Sequence, residues 1–353
     1  MKTILLGCTP PPIGGIARWT VRMMNTKMPG DWELVLVDER LIERDVFGDN
    51  TKVNYLIEIK RWLAIWTKLI YHLFDKDVKI VHSCPIGSAN SMLAESVNAT
   101  ISKIFNKKVI LHFRCTLPNM IKTQKQIRIL KYLLSKCDLV IALNFQTRKY
   151  IENISNVNVT VIPNFIDETE IVQNPLFVKK NVNTVLYTGG VTEEKGCLDI
   201  IEISKHFPDI TFKLVGDANE NVKRIANKCT NVLITGSKNV QEVKRELLNA
   251  DIYIFLSHFS GEGFSNSLAE AMAAGKPCLV TDWAANADMI EHEKGGFVVE
   301  PGDNNNAIKY LKEMLDFDIR AKQGYYNFEK AKRMYCKSVI INEYIKCYNK
   351  VLS

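Results

Sequence analysis

Between residues 251 and 282 the chain runs from an apolar stretch through a glycine loop and a helical pattern to a glycine-proline stop and a second apolar stretch. The first apolar run is Asp251-Ile-Tyr-Ile-Phe-Leu-Ser257 and the second is Pro277-Cys-Leu-Val-Thr-Asp282. Two strands joined by a helical crossover lie parallel in one sheet, so this order predicts a βαβ unit. The intervening Gly261-Glu262-Gly263 leads into a helix predicted to start at Ser265 or Asn266, continue through Leu268 to Ala274 and stop at Gly275 before Pro277. The glycine loop therefore follows a strand's carboxyl end, where open α/β sheets bind ligands.

The same alternation extends along the whole chain. Strand patterns occupy Thr3 to Gly7, Glu33 to Val37, Ile80 to Ser83, Lys108 to Phe113, Leu139 to Leu143 and Val159 to Pro163. A polar stretch from Glu168 to Asn183, containing Pro175, marks a boundary. Further strands follow at Thr184 to Thr188, Thr211 to Val215, Asn231 to Thr235, Asp251 to Leu256, Pro277 to Thr281 and Gly296 to Val299. Alternation of this kind predicts parallel sheets covered by helices. At 353 residues and 46% apolar content the chain can bury two cores. The expected division is 1–170, 171–335 and a closing helix in 336–353 that returns to the first domain. There is no short-period repeat and no low-complexity segment.

A helix N-terminus after a glycine loop is an anion site, because its N–H groups are unpaired and the helix dipole favours negative charge there. Ser265, Asn266 and Ser267 stand at this start, with Glu262 before it and Glu270 two turns in, placed to hydrogen-bond sugar hydroxyls on either side. The structural alternative is that Ser267 and Glu270 form a capping box and Glu262 is a solvated loop residue.

The chain resembles the retaining, nucleotide-sugar-dependent family-4 glycosyltransferases. Glu262 to Glu270 matches their E-x7-E signature and is followed by Ala-Met-Ala-Ala-Gly-Lys-Pro and Thr281-Asp282. Gly14-Gly15, Val161-Ile-Pro-Asn-Phe-Ile-Asp167 and Tyr187-Thr-Gly-Gly-Val-Thr-Glu-Glu-Lys-Gly196 add matches in the family's order. The resemblance implies a GT-B fold, two Rossmann-like domains with parallel sheets facing across a cleft. It implies that Glu262 contacts the transferred sugar, Glu270 the nucleotide ribose and Lys195 the diphosphate. Gly189 and Gly190 would line the donor loop, and Gly14 and Gly15 would let backbone approach phosphate or acceptor. His112, after Val109-Ile-Leu111, would contact the donor from a strand end at the cleft, with His82 as its rival. Many relatives carry arginine where this chain has Gly190, so one phosphate cation is missing, and Arg114 is the candidate substitute. No cofactor and no essential metal are expected. The helix amides and Lys195 would neutralise the diphosphate, with no Asp-x-Asp spacing expected to hold a cation.

The net charge of +7 is uneven: residues 1–165 carry 23 Lys and Arg against 13 Asp and Glu. Lys122, Lys125, Arg128, Lys131 and Lys136 accompany an apolar stripe that predicts a basic amphipathic helix, suited either to anionic lipid or to ordinary packing on a sheet. Lys60 to Phe74 is apolar nearly all round, which predicts burial rather than lipid contact. The resemblance, taken with this basic first half, implies as partners a nucleotide-sugar donor, a glycan acceptor carried on lipid, and anionic membrane in peripheral contact, with no specific nucleic acid. Nine cysteines without paired short spacings, and an opening run that reads as a strand and loop through Pro10-Pro11-Pro12, predict a protein of the cytoplasm, which an acceptor carried on lipid would bring to the inner face of the membrane. Other readings of the same scaffold are a sugar epimerase or hydrolase, or a sugar-nucleotide or polyanion binder without catalysis.

Overall fold

The computed structural model describes residues 1–11, 14–40, 55–167 and 178–353. Pro12 and most of the expected boundary segment lie outside the described residues. The chain divides into two compact units, one of Met1–Ile162 with Ile341–Ser353 and one of Pro163–Ile340.

Unit 1 runs β1 (Lys2–Gly7), α1 (Gly15–Met24), β2 (Glu33–Asp38), α2 (Tyr55–Leu73), β3 (Val78–Ser83), α3 (Ala89–Ile104), β4 (Lys108–Phe113), α4 (Leu117–Met120), α5 (Gln124–Leu134), β5 (Leu139–Ala142), α6 (Phe145–Glu152) and β6 (Val159–Val161). Unit 2 runs β7 (Thr184–Thr188), α7 (Cys197–Ser204), β8 (Thr211–Val215), α8 (Glu220–Ala226), β9 (Val232–Ile234), α9 (Val240–Asn249), β10 (Ile252–Phe255), α10 (Asn266–Ala273), β11 (Cys278–Thr281), α11 (Asn286–Met289), β12 (Gly296–Val299), α12 (Asn304–Glu313) and α13 (Phe317–Met334). A last helix, α14 (Lys337–Leu352), starts in unit 2 and continues into unit 1.

Each unit holds a six-stranded parallel sheet, ordered β2-β1-β3-β4-β5-β6 in the first and β12-β11-β10-β7-β8-β9 in the second. Every strand pattern read from the sequence is present. The opening run is β1, an interior strand with Ile4, Leu5 and Leu6 fully buried. Among the described residues no helix is long and apolar enough to cross a membrane.

Strand alternation decides what each side of the first sheet meets. Val109, Leu111 and Phe113 of β4 join Leu130, Leu133 and Leu134 of α5 in one core. Ile4, Leu6 and Val37 meet Ile65, Leu69 and Leu73 of α2 in another. His112 lies between Leu111 and Phe113 in β4, so its side chain points to the opposite side of the sheet.

Two helices correct or refine the sequence reading. α5 buries its apolar side while Lys125, Arg128 and Lys131 are exposed, the pattern of an ordinary sheet-packed helix. α2, expected to be buried all round, is not. Ile65, Leu69 and Leu73 face the sheet, but Leu56, Ile59, Leu63 and Tyr71 are 70%, 56%, 53% and 76% exposed. A single helix layer over a sheet can bury only one side of each helix, however apolar the other side is.

Candidate functional site

In unit 2 the chain steps from β7 out to β8 and β9, then returns to β10 on the other side of β7. The crevice beyond the carboxyl ends of β7 and β10 is therefore this sheet's topological switch point. The loop after β7 carries Lys195 and the loop after β10 carries Glu262. Lys195 Nζ donates to Glu262 Oε2 at 2.5 Å, with the two side chains 23% and 11% exposed. Ser257 Oγ donates to the same carboxylate oxygen at 3.3 Å, and the Lys195 ammonium stands 4.6 Å from the centre of the Phe259 ring.

The next strand braces this arrangement. Thr281 Oγ1 donates to Ser257 O at 2.6 Å, Trp283 Nε1 donates to Phe259 O at 2.8 Å, and His258 N donates to Glu194 O at 2.9 Å. Gly196 makes the close approach of the two loops possible. It sits at φ 72°, and a Cβ there would fall 2.1 Å from Leu256 O. Gly189 is also left-handed, at φ 141°. Gly190 is different: nothing lies within 4 Å of a Cβ built on it, and its carbonyl accepts from Tyr187 Oη at 2.8 Å.

α10 begins where the sequence places it. Ser265 is its N-cap, accepting from Leu268 N at 3.3 Å. The cap position rules out the Ser267–Glu270 capping box, since both residues lie inside the helix. Ser267 Oγ is 3.1 Å from Ser265 Oγ, and Asn266 Oδ1 accepts from Asn164 Nδ2 at 2.9 Å. Glu270 is half-buried one turn further on. Gly275, at φ 68°, ends the helix. Lys276 of the same motif is structural: its Nζ donates to Leu248 O and Ala250 O, and burial lowers its pKa to about 8.

Unit 1 holds the other expected positions. Gly14 is the N-cap of α1, and neither Gly14 nor Gly15 has any atom within 4 Å of a built Cβ, so the start of this helix is bare. His112 stands next to the end of β4, but its ring is fully buried rather than presented at a strand end. Both nitrogens are engaged: Nε2 lies 3.2 Å from Arg114 Nη1, and Nδ1 lies 3.2 Å from His82 Nε2. His82 Nδ1 in turn meets Tyr348 Oη of α14 at 2.8 Å. The expected rivals are thus linked in one chain, with Trp19 and Tyr344 against their rings. Arg114 is held here too, its guanidinium 4.2 Å above the Trp19 ring.

Hydrogen-bond accounting assigns the tautomers. A guanidinium only donates, so His112 Nε2 accepts and its proton sits on Nδ1, which donates to His82 Nε2. The His82 proton is then on Nδ1 and donates to Tyr348. Burial and the Arg114 charge lower both histidine pKa values, that of His82 to about 3. His82, Cys84 and His112 offer three ligand atoms within 4.8 Å of one another. A cation does not fit them: metal on His112 Nδ1 would force a proton onto Nε2, against the Arg114 donors.

The Asp-x-Asp spacing, expected to be absent, occurs twice. Asp75-Lys76-Asp77 and Asp316-Phe317-Asp318 both have structural duties. Asp75 pairs with Lys2 at 2.8 Å, and Asp316 caps α13 by accepting from Asp318 N and Ile319 N. The residues that sequence reasoning missed are Ser257, Phe259, Thr281 as a brace, Trp283 and Asn164. Their contacts join segments far apart in the chain, and no local pattern announces them.

Residues 168–331 match the family model of Glycosyl transferases group 1. Among curated proteins, the 2-deoxystreptamine N-acetyl-D-glucosaminyltransferase of Niallia circulans is 31% identical over 39% of this chain and 38% of its own length. The UDP-Gal:alpha-D-GlcNAc-diphosphoundecaprenol alpha-1,3-galactosyltransferase of Escherichia coli is 24% identical over 45% of this chain and 46% of its own length. The chain thus spans less than half the length of these relatives. Solved structures are similar over nearly everything. Sucrose-phosphate synthase from Thermosynechococcus elongatus superposes with a TM-score of 0.76 at 16% identity, covering 100% of this chain and 99% of that one. Anabaena HepE in complex with UDP gives 0.76 at 17%, covering 99% and 100%. With its two six-stranded parallel sheets, the chain has the GT-B fold, and its second unit carries the segment that matches the group 1 glycosyl transferases.

Proposed function

We propose that this protein is a retaining glycosyltransferase of the E-x7-E type, moving a sugar from a nucleotide-sugar donor to a hydroxyl of a lipid-linked glycan acceptor in polysaccharide assembly. The observation that carries the reading is the Lys195–Glu262 pair at the switch point of unit 2, which joins the loop after β7 to the loop that leads into the α10 N-terminus. Cleavage of a nucleotide sugar leaves negative charge on the distal phosphate. Lys195 and the N–H groups at Ser265, Asn266 and Ser267 stabilise that charge most as it develops. Glu262 then accepts from hydroxyls of the departing sugar, and Glu270 from the ribose. Gly189 and Gly190 add no side chain of their own at the end of β7. Gly14 and Gly15 give the acceptor a bare helix start in unit 1.

His112 has a positioning role in this reading, because neither ring nitrogen is free to act on substrate. No side chain of the site is assigned as a nucleophile. The leaving diphosphate takes the acceptor proton on the same face, which gives retention. The bound UDP of the HepE structure supports the donor class, and the diphosphoundecaprenol in the name of the E. coli relative supports the acceptor class. Work on such an acceptor would place the protein at the inner face of the cytoplasmic membrane.

The test is a calorimetric and thermal-shift panel of UDP-, GDP- and ADP-sugars against the wild type and Lys195→Ala. Saturable binding of one donor, lost in Lys195→Ala, is the expected result. A folded protein that binds none of them would overturn the reading. Turnover that needs no acceptor would point to a hydrolase or epimerase.

A further inference from the structure

We infer that the outer side of α2, extended by Phe74 and Ile104, docks on an anionic lipid bilayer. This rests on the proposed lipid-linked acceptor only for what the bilayer presents; the surface itself is an independent observation. Leu56 and Leu63 on α2, and Phe74 directly after it, recur at spacings that bring them onto one line, opposite Ile65, Leu69 and Leu73 on the sheet side. Phe74 is 73% exposed and Ile104 72%, and the Phe74 ring meets Phe105 at 5.1 Å, so the apolar surface continues from the end of α2 to the end of α3. Large apolar side chains scattered singly over a surface need no explanation, but a contiguous stripe marks an interaction site.

The charge around the stripe selects the partner. Among the exposed positions of α2 the charged residues are Lys60 and Lys68, and beyond its end Lys76 and Asp77 are exposed as a pair of opposite charges. The one acid of the helix, Glu58, is turned into an ion pair with Arg61 at 2.9 Å. An apolar stripe with aromatic residues at one end, on a helix whose exposed charges are all lysines, is complementary to acyl chains beneath anionic headgroups. α5 is the contrasting case. Its outer side is basic, but Leu130, Leu133 and Leu134 are buried, so it has no apolar stripe to insert. The docking is peripheral, since no described helix can span a bilayer.

The experiment is co-sedimentation of the full chain with vesicles of phosphatidylcholine alone and of phosphatidylcholine mixed with phosphatidylglycerol. The double variant Leu63→Glu, Tyr71→Glu and the charge variant Lys60→Glu, Lys68→Glu are run alongside. The wild type is expected in the pellet with the mixed vesicles, with a bound fraction that falls as salt is raised. Both variants should lose about tenfold in apparent affinity, while keeping wild-type thermal stability and donor binding. Variants that pellet like the wild type, or binding indifferent to phosphatidylglycerol, would overturn the inference. So would a concentration-dependent dimer abolished by Leu63→Glu, Tyr71→Glu, which would make a second copy the occupant. Donor binding is read separately, so failure of the transferase reading and failure of the docking surface are told apart.

Discussion

At the scale of single residues, the Lys195–Glu262 pair sets a clear asymmetry. Glu262 pairs with the cation assigned to the diphosphate in the proposed function, so on that reading removing the carboxylate and removing the ammonium have opposite effects on anion binding. Glu262→Ala is expected to abolish sugar transfer while nucleoside diphosphate affinity holds or rises. Lys195→Ala leaves a carboxylate facing the phosphates and should lower that affinity by about tenfold or more; calorimetry with UDP and GDP compares the two. Ser265→Ala removes a cap and not the N–H groups, so it should cost about 1 kcal/mol of stability in denaturant melts and affect binding less than Lys195→Ala does. Gly190 permits a gain-of-function test. With no atom within 4 Å of its Cβ direction, Gly190→Arg has room for the second cation that the proposed donor site would use. It should tighten diphosphate binding several-fold, by about 1 kcal/mol, with little change in melting temperature.

At the scale of elements, the strands and α10 were legible because their signals are local. Each strand is a short apolar run ended by glycine or a polar residue, and α10 has a serine cap at one end and a glycine stop at the other. α2 was misread because an all-round apolar helix looks the same in sequence whether its second side meets a core or faces outward. At the candidate site, Lys195, Glu262 and Ser265 stand on motifs and were readable, whereas Ser257, Phe259 and Trp283 act through contacts between loops. The histidine chain was half legible. Two histidines at neighbouring strand ends could be seen, but their partner Tyr348 comes from the far end of the sequence. Tyr348→Phe leaves the His82 Nδ1–H buried without an acceptor and should cost about 1–3 kcal/mol, seen as a lower urea midpoint at unchanged slope. His82→Phe in the same background should recover none of that loss, because it takes the acceptor from His112 Nδ1–H in turn.

At the scale of the whole molecule, unit 1 buries two sets of titrating groups whose effects on stability oppose each other. His82 and His112 are held neutral, with folded pKa values below the ordinary 6.5. Between about pH 3 and pH 6.5 the unfolded chain binds protons that the folded one refuses, so their contribution is full above 6.5 and is lost as pH falls. Glu39 and Glu95, bridged by Asn98 Nδ2 at 3.1 Å to each, behave in the reverse sense. Burial raises both carboxyls, that of Glu95 to about 7, so the folded state keeps a proton that the unfolded chain releases above about pH 4.5. Stability therefore declines through that window on their account, by about 1.4 kcal/mol per pH unit for each proton. The wild type should show a shallow pH profile between 4.5 and 6.5. Glu95→Gln should remove its share of the opposing slope and leave that of Glu39, so that urea midpoints rise more steeply with pH across the same range.

The division of unit 1 into Met1–Ile162 and Ile341–Ser353 also fixes an order of events during synthesis. Residues 341–353 leave the ribosome only after all of unit 2 has done so. Until then the first sheet has neither Tyr344 against its histidines nor an acceptor for His82. The domain made first is thus finished last. During translation the nascent chain carries an N-terminal sheet that still lacks its last helix, while unit 2, continuous from 163 to 340, is free to complete itself first.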